Sequence, residues 1–254
     1  MLIDTHSHIY SEDFYSDIDE VIQRAYDNDI KKIVMPNLDS GSVKRLIDLS
    51  DIYPHLCFPL LGLHPTSVSE DYKEELETLE YWMDKRKFYG IGEIGIDLYW
   101  SNTFLKQQED AFRHQIKMAK SKDLPVVIHV RNSINEVLKI VEDEQDGSLQ
   151  GIFHCFTGNT TEANKIIDLG FFLGIGGVVT FKNSTLHEAL RNIDLKNLVL
   201  ETDSPYLSPE PKRGRRNETS YLVYVAQKIA DIYNVSVEHV AEITTTNAKK
   251  IFEI

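Results

Sequence analysis

Short apolar runs alternate with longer amphipathic segments along the whole chain. The runs are rich in Ile, Val, Leu and Phe and are shorter than most helices, which is typical of strands buried on both faces of a parallel sheet. This pattern predicts eight strands, at Leu2–Ile9, Lys32–Asn37, Cys57–His64, Tyr89–Ile94, Pro125–Val130, Gly151–Phe156, Phe171–Val179 and Leu198–Asp203.

The segments between these runs carry apolar residues at helical spacing. In one of them Leu105, Phe112 and Ile116 lie on a single stripe, with Lys and Gln on the opposite face. Ser236 is a suitable N-cap for the last helix. The spacing predicts seven helices between the strands and two closing helices, at Asp17–Asn28, Val43–Tyr53, Asp71–Arg86, Phe104–Lys120, Asn135–Glu144, Thr161–Leu169, Thr185–Ile193, Ser220–Tyr233 and Val237–Phe252.

Strands that are each followed by a helix predict an α/β fold in which a parallel sheet closes into a barrel. The chain has 254 residues, a length at which single α/β barrels are common. No linker rich in Pro, Gly or Ser and no internal repeat divides it. We therefore predict one domain over residues 1–254, a (β/α)8 TIM barrel with an extra C-terminal helix.

Composition excludes several classes of protein. The two cysteines, Cys57 and Cys155, support neither a disulfide framework nor a zinc ribbon. No charged-then-apolar leader opens the chain and no apolar run approaches membrane-spanning length, so we expect a soluble cytoplasmic protein without membrane association. The net charge of −13 argues against a basic surface that wraps long DNA. It leaves room for a local site where bound metal and a few arginines reverse the sign.

Polar side chains gather at the predicted carboxyl ends of the strands. His6 and His8, two apart in an extended segment, point to the same side, with Asp4 behind them. A lone histidine at a strand end is more often bonded to neighbouring backbone. Carboxyl ends of barrel strands meet at one rim, however, and the joint pattern favours a metal site there. Five of the nine histidines and two acids share this position: His6, His8, His64, Glu93, His129, His154 and Asp203.

Imidazole and carboxylate ligands suit Zn, Mn, Fe or Ni, or a mixed site, better than Mg alone, which prefers oxygen. Six candidate ligands are too many for one catalytic ion that keeps an open position, and they suit two ions bridged by a carboxylate. We predict two divalent ions (Mg, Mn, Zn or similar), with Glu93 as the bridge. Asp203 is the ligand best placed to orient or deprotonate the attacking water, so Glu93 and Asp203 are the predicted catalytic residues. The six candidates are His6, His8, Glu93, His129, His154 and Asp203.

A basic run, KRGRR at 212–216, follows Asp203 by nine residues and is expected in the loop over the same rim. The planar fork of arginine matches phosphate oxygens, so we predict that Arg213 or Arg215 contacts a phosphate of the substrate. The alternative is a solvated loop, or arginines paired with neighbouring acids.

Other residues near the rim admit two interpretations each. Arg131 shares a strand face with His129, and it either contacts substrate phosphate or forms a salt bridge to an acid. Tyr99 and Trp100, in the loop after the fourth strand, either stack on a base or pack beneath the loop. Glu201 shares the face of Asp203 but lies deeper, where it would support the ligands.

Seven motifs follow one another along the chain: DTHSH, GLHP, GEIGID, LPVVIHVR, FHCFTG, ETDSPYLSP and KRGRRNE. In this order and spacing they resemble the TatD family of metal-dependent hydrolases, one of the amidohydrolase-like barrels. The resemblance runs from Leu2 to the closing TTTNAKKIF. It implies a (β/α)8 barrel, a divalent metal site and deoxyribonuclease activity, often as a 3′–5′ exonuclease on single strands.

The resemblance also implies roles for particular residues. One metal would be held by His6, His8, Glu93 and Asp203, and the second by Glu93, His129 and His154. His64, in GLHP, matches a position of the substrate-binding rim.

Three positions depart from the family pattern without touching a proposed ligand. Thr66 replaces a histidine that often follows GLHP, RNS at 131–133 replaces a run of arginine, acid and alanine, and Thr219 replaces a proline. These departures leave the substrate preference more open than the metal chemistry.

The predicted function is therefore hydrolysis of DNA phosphodiester bonds by metal-activated water, with single-stranded or frayed DNA as substrate and no obligate protein partner. One alternative is hydrolysis of an ester or amide, such as removal of a D-amino acid from charged tRNA, because a metal activates water for either reaction. The other is a non-catalytic metal-binding regulator.

Overall fold

The computed structural model describes all residues, Met1–Ile254. The strands are β1 (Leu2–Asp4), β2 (Ile30–Met35), β3 (Cys57–Pro59), β4 (Ile91–Asp97), β5 (Val126–Arg131), β6 (Gly151–Phe153), β7 (Phe172–Ile175) and β8 (Leu198–Leu200). The α-helices are α1 (Ile18–Asp27), α2 (Ser40–Ile52), α3 (Tyr72–Met83), α4 (Leu105–Ser121), α5 (Ile134–Glu144), α6 (Thr160–Asp168), α7 (Leu186–Leu190), α8 (Leu222–Tyr233) and α9 (Val237–Phe252).

The strands lie side by side in chain order, and every pair is parallel. β1 to β3 form one hydrogen-bonded ladder and β4 to β8 form a second. Single bridges join the ladders, between Leu61 and Ile91 on one side and between Ser7 and Ser204 on the other. The ladder is not continuous around the circle, but the arrangement is that of the predicted (β/α)8 barrel, which confirms the predicted fold class.

The regular strands are shorter than the apolar runs predicted. β1 ends at Asp4 and β3 ends at Pro59. His6, His8 and His64 therefore lie in the segments that follow these strands, although all three are buried. These segments no longer belong to the hydrogen-bonded sheet, but the loops at the rim still cover them. The apolar runs therefore indicate which segments are buried, not which residues belong to the hydrogen-bonded sheet.

A cluster of ten apolar residues fills the interior of the barrel at its amino end. It draws on six strands or their neighbours and on α9: Ile3, Val34, Phe58, Leu60, Val127, Ile152, Val199, Ala248, Ile251 and Phe252. The Thr245 hydroxyl donates to the Met1 carbonyl at 3.2 Å, and the Asn247 amide donates to the Leu198 carbonyl at 2.8 Å. α9, the predicted extra helix, therefore closes the amino end and leaves the carboxyl end to the loops.

The outer helices bury one face against the barrel in a second, larger apolar cluster. Two of them begin with reciprocal capping boxes, formed by Asp39 and Ser42 at α2 and by Asn159 and Glu162 at α6. None of the helices combines the length and the apolar character needed to cross a bilayer.

Candidate metal centre

The six predicted ligands converge at the carboxyl end of the barrel. His6, His8, Glu93 and His154 are buried, and His129 and Asp203 are half-buried. The ligand atoms of these residues and of His64 form three overlapping sets, each within 4.8 Å: His6, His8 and Asp203; His6, Glu93 and His154; and His64, Glu93 and His129. Around Glu93 they divide into two groups, one at each oxygen of its carboxylate. Glu93 and His129 lie within β4 and β5, and the other four predicted ligands lie in the segments that follow β1, β6 and β8, so five strands contribute to the shared rim of the barrel.

The first group gathers around one oxygen of Glu93. The Nε2 atoms of His6 and His8 lie 3.1 Å apart. Glu93 Oε2 lies 3.1 Å from His6 Nε2 and 3.5 Å from His8 Nε2. Asp203 Oδ1 lies 3.7 Å from both histidine nitrogens. Four side chains thus aim nitrogen or oxygen atoms at one small volume.

The second group gathers around the other oxygen of the same carboxylate. Glu93 Oε1 lies 2.6 Å from His129 Nδ1 and 2.7 Å from His154 Nε2. The two histidine nitrogens are 3.4 Å apart. Glu93 therefore stands between two groups of ligands, with one oxygen facing each.

Hydrogen bonds on the outer sides of the rings determine which nitrogen carries the proton. The Tyr10 hydroxyl donates to the Pro36 carbonyl at 2.7 Å, so it accepts from His8 Nδ1 at 3.1 Å. His129 Nε2 donates to Asp97 Oδ2 at 3.0 Å. In both histidines the proton then lies on the outer nitrogen, and the inner nitrogen presents its lone pair to the cluster.

Glu201 lies beneath His154. His154 Nδ1 lies 3.4 Å from Glu201 Oε1, a contact too poorly aligned for a hydrogen bond. The same oxygen accepts from the Cys155 backbone N–H at 2.6 Å, which holds the carboxylate in place. A Cβ on Gly174 would lie 2.3 Å from Glu201 Oε2, so only glycine lets this carboxylate approach β7. Glu201 is fully buried below the ligands, but it makes no hydrogen bond to any of them, so its supporting role stays a prediction.

Burial and mutual charge shift the pKa values within the cluster in opposite directions. Burial raises the pKa of Asp203 to about 6. At Glu93 the effect of burial is outweighed by the positive charges of neighbouring histidines, chiefly His154, and the pKa lies well below its usual range. Burial, together with the charge of His154, lowers the pKa of His6 well below its ordinary value. Glu93 is therefore ionised, and its charge outweighs burial and raises the pKa of His154 well above its ordinary value, so a divalent cation that binds here takes the place of a proton on this histidine.

The donor set fits divalent metal. Two imidazole lone pairs that face each other at 3.1 Å, as in His6 and His8, repel unless a proton or a cation lies between them. Mixed nitrogen and carboxylate ligands at this density are typical of Zn, Mn or Fe sites.

His64 lies beside the second group but offers a different chemical group. Its Nε2 is 3.3 Å from both Glu93 Oε1 and His129 Nδ1, close enough for a ligand. The Thr66 backbone N–H, however, donates to His64 Nδ1 at 3.1 Å. We therefore assign the proton to Nε2, which makes His64 a hydrogen-bond donor to the site rather than a ligand.

The predicted phosphate-binding arginines lie in different environments. Arg216 forms a bidentate ion pair with Asp17, at 2.8 and 2.6 Å, so this member of the basic run is structural. Arg213 and Arg215 are exposed and form no ion pair, and the Arg213 guanidinium lies 3.9 Å from the centroid of the Phe181 ring. Arg131 also forms no ion pair, and its guanidinium lies 3.7 Å from the centroid of the Tyr99 ring. The guanidinium groups of all three arginines are thus open to a substrate.

Asp97, which the sequence pattern places in the loop after the fourth strand without a role, ends β4 and is a functional candidate. Besides accepting from His129, its carboxylate accepts from the Tyr99 backbone N–H at 2.9 Å. The hydrogen bond from His129 outweighs burial and lowers the pKa of Asp97. The available signal was spacing, because Glu93 and Asp97, four apart in one strand, share a face.

Asp97→Asn is expected to lower the affinity for divalent metal by about 10- to 100-fold, because the neutral amide no longer holds His129 with its proton on Nε2. Isothermal titration of metal into chelator-treated protein measures this affinity. Asp168→Asn, at an exposed position at the end of α6, is the matched control. Equal affinities for the variant, the control and the wild type would remove Asp97 from the site.

Known proteins resemble the chain in sequence and in structure. The family model for "TatD related DNase" matches residues 3–253. YabD of Bacillus subtilis, described as an uncharacterized metal-dependent hydrolase, is 37% identical over 255 residues that cover 100% of both chains. YcfH of Escherichia coli K12, with the same description, is 32% identical over 257 residues that cover 100% of this chain and 96% of YcfH. The crystal structure of YjjV, a TatD homolog from Escherichia coli K12, has a TM-score of 0.92 and 26% identity, over 100% of this chain and 98% of YjjV.

Proposed function

The chain belongs to the family of TatD-related DNases and is a metal-dependent hydrolase, and from this premise we propose that it removes nucleotides from the 3′ end of single-stranded DNA. The observation that carries the proposal is the Glu93 carboxylate, whose two oxygens each face a separate group of ligand atoms. Such an arrangement suits two ions around one phosphodiester.

We assign His6, His8, Glu93 and Asp203 to one ion and Glu93, His129 and His154 to the other. When bound, two divalent ions supply positive charge for the phosphate and lower the pKa of a water. The chain's own contribution is to hold these ligands in one protonation state, through the hydrogen bonds of Tyr10 and Asp97 on their outer sides.

Two residues of the chain have roles beyond ligation. Asp203 lies farther from the histidines than Glu93 does and is half-buried, so its second oxygen is available to orient the attacking water and to accept its proton. His64 would donate its Nε2–H to a non-bridging phosphate oxygen, which favours a phosphate over an uncharged carbonyl. Arg131, Arg213 and Arg215 would contact phosphates farther along the strand.

Replacing Arg213 and Arg215 together with Ala is expected to raise KM for an oligonucleotide several-fold and to reduce the slope of log KM against log salt by about one. The physical reason is the loss of counterion release at one or two phosphates. Steady-state kinetics between 50 and 200 mM salt, conditions chosen to span a strong salt effect, measure both quantities. The double variant Lys249→Ala and Lys250→Ala removes the same charge from exposed positions of α9 and should leave KM unchanged. An unchanged KM and slope in the arginine variant would contradict these contacts.

The proposal is tested on protein that has been stripped by chelator and reloaded separately with Mg, Mn or Zn. Single- and double-stranded DNA, labelled at either end, and a D-aminoacyl-tRNA are the substrates, with His129→Ala as the control. Digestion from the 3′ end turns a 5′-labelled strand into a ladder and releases only a mononucleotide from a 3′-labelled one. Intact DNA with deacylated tRNA would move the function to ester hydrolysis at the same centre. No turnover of either substrate with metal bound would favour a regulator.

A further inference from the structure

Two large aromatic rings lie exposed beside the metal centre. Tyr99 is 52% exposed and Trp100 is 73% exposed, in the segment that follows β4. The rings meet edge to face with centroids 4.8 Å apart. The Arg131 guanidinium lies 3.7 Å from the centroid of Tyr99 and 5.6 Å from that of Trp100. Adjacent exposed rings of this size usually mark a binding surface.

The same carboxylate connects this surface to the ligand cluster. Asp97 accepts from the Tyr99 backbone N–H with Oδ1 and from His129 Nε2 with Oδ2. Asp97 and Arg131 are also paired across β4 and β5, and the Leu98 N–H donates to the Arg131 carbonyl at 2.9 Å. The surface formed by Tyr99, Trp100 and Arg131 is thus tied to the ligand His129. Tyr99 follows Asp97 by two residues, and Arg131 follows His129 by two residues.

Arg131 and Trp100 contribute little to the stability of the fold. Arg131 forms no ion pair, although the chain carries a net charge of −13. Its guanidinium instead lies 3.7 Å over the centroid of the Tyr99 ring, where it can extend a stacking surface for a base. Trp100 leaves most of its surface in water, where a ring that served only to anchor the loop would be covered.

We propose that Tyr99, Trp100 and Arg131 form a stacking platform for an unpaired nucleobase of the strand held at the metal centre. The inference rests on the proposed function, because it needs a nucleic acid as the substrate. A base inside a duplex is stacked on both faces and the terminal base is still paired, so the platform favours a base that has left the helix. It thereby selects single strands and frayed ends, without preference for sequence.

The first test compares an oligothymidylate with the same strand carrying abasic tetrahydrofuran units near its 3′ end. Trp100→Ala is expected to lower kcat/KM on the oligothymidylate about tenfold and to leave the abasic strand unaffected. Trp100→Phe, which keeps an aromatic ring, should retain most of the wild-type kcat/KM on the oligothymidylate. Tyr81→Ala is the matched control, since Tyr81 is 59% exposed on α3 with Lys85 5.2 Å over its ring. Equal losses on both strands would show that Trp100 only supports the loop and would overturn the platform.

The second test needs no catalysis. The chain has two tryptophans, so Trp82→Phe leaves Trp100 as the sole reporter of fluorescence. A phosphorothioate oligothymidylate should quench and shift its emission, and the abasic strand should not. Identical responses to both strands would overturn the platform even if the enzyme cleaves DNA. Conversely, a wild-type protein that cleaves no DNA would contradict the proposed function, while the quenching would still decide whether the platform binds a base.

Discussion

Replacing Glu93 with Gln is expected to lower kcat/KM for metal-dependent hydrolysis by about 10³-fold or more. Glu93 faces His6 and His8 with one oxygen and His129 and His154 with the other. Glutamine keeps the shape but removes the charge. It also places an amide N–H₂ against one group of ligands. The group with His129 and His154, whose only carboxylate is Glu93, loses its anionic ligand.

The measurement combines kinetics with metal content, determined by elemental analysis after dialysis against a defined free concentration of Mn or Zn. We expect the Glu93→Gln variant to retain less metal than the wild type as well as losing activity. Because the substitution conserves volume, circular dichroism should show an intact barrel. Glu77→Gln, on the exposed face of α3, is the matched control and should behave as wild type. Full metal content with normal kcat in Glu93→Gln would refute the bridging role.

Asp203→Asn is expected to lower kcat by about 10²- to 10⁴-fold with a smaller change in metal content, because a neutral amide cannot accept the proton of the attacking water. Asp203 Oδ1 lies 3.7 Å from the histidine nitrogens, so it contributes less to holding metal than Glu93 does. Its backbone has φ of +56°, in the left-handed region that aspartate and asparagine tolerate better than most residues. The substitution therefore tests the carboxylate without straining the turn that presents it.

Single-turnover kinetics on a labelled oligonucleotide separate this role from ligation. The expected result is a low rate constant at saturating substrate, with KM within a few-fold of wild type. Asp168→Asn again serves as the control for loss of one carboxylate. If Asp203→Asn loses its metal and raises KM without a specific fall in kcat, the residue is a ligand only and the base must be sought elsewhere.

The sequence alone predicted the barrel and the composition of its rim. Alternating buried runs and amphipathic helices are local properties, and a chain of parallel strands joined by helices has few ways to bury them all. Because the strands are parallel, the polar residues at their carboxyl ends must meet. Hence His6, Glu93, His129 and Asp203 could be predicted as neighbours although nearly 200 residues separate the first from the last.

Only the tertiary structure decided which of those neighbours are arranged as metal ligands and which as hydrogen-bond donors. Whether a histidine is a ligand or a donor depends on the partner of its outer nitrogen, and that partner differs between His129, paired with Asp97, and His64, paired with Thr66. In the basic run, Arg216 pairs with Asp17 on a distant element while Arg213 stays free of ion pairs. Hydrogen bonds and ion pairs depend on tenths of an ångström between segments remote in sequence. Periodicity and composition carry no information at that scale, so the protonation states of the histidines, and the choice between exposed and packed rings at Tyr99 and Trp100, are decided only once the barrel is closed.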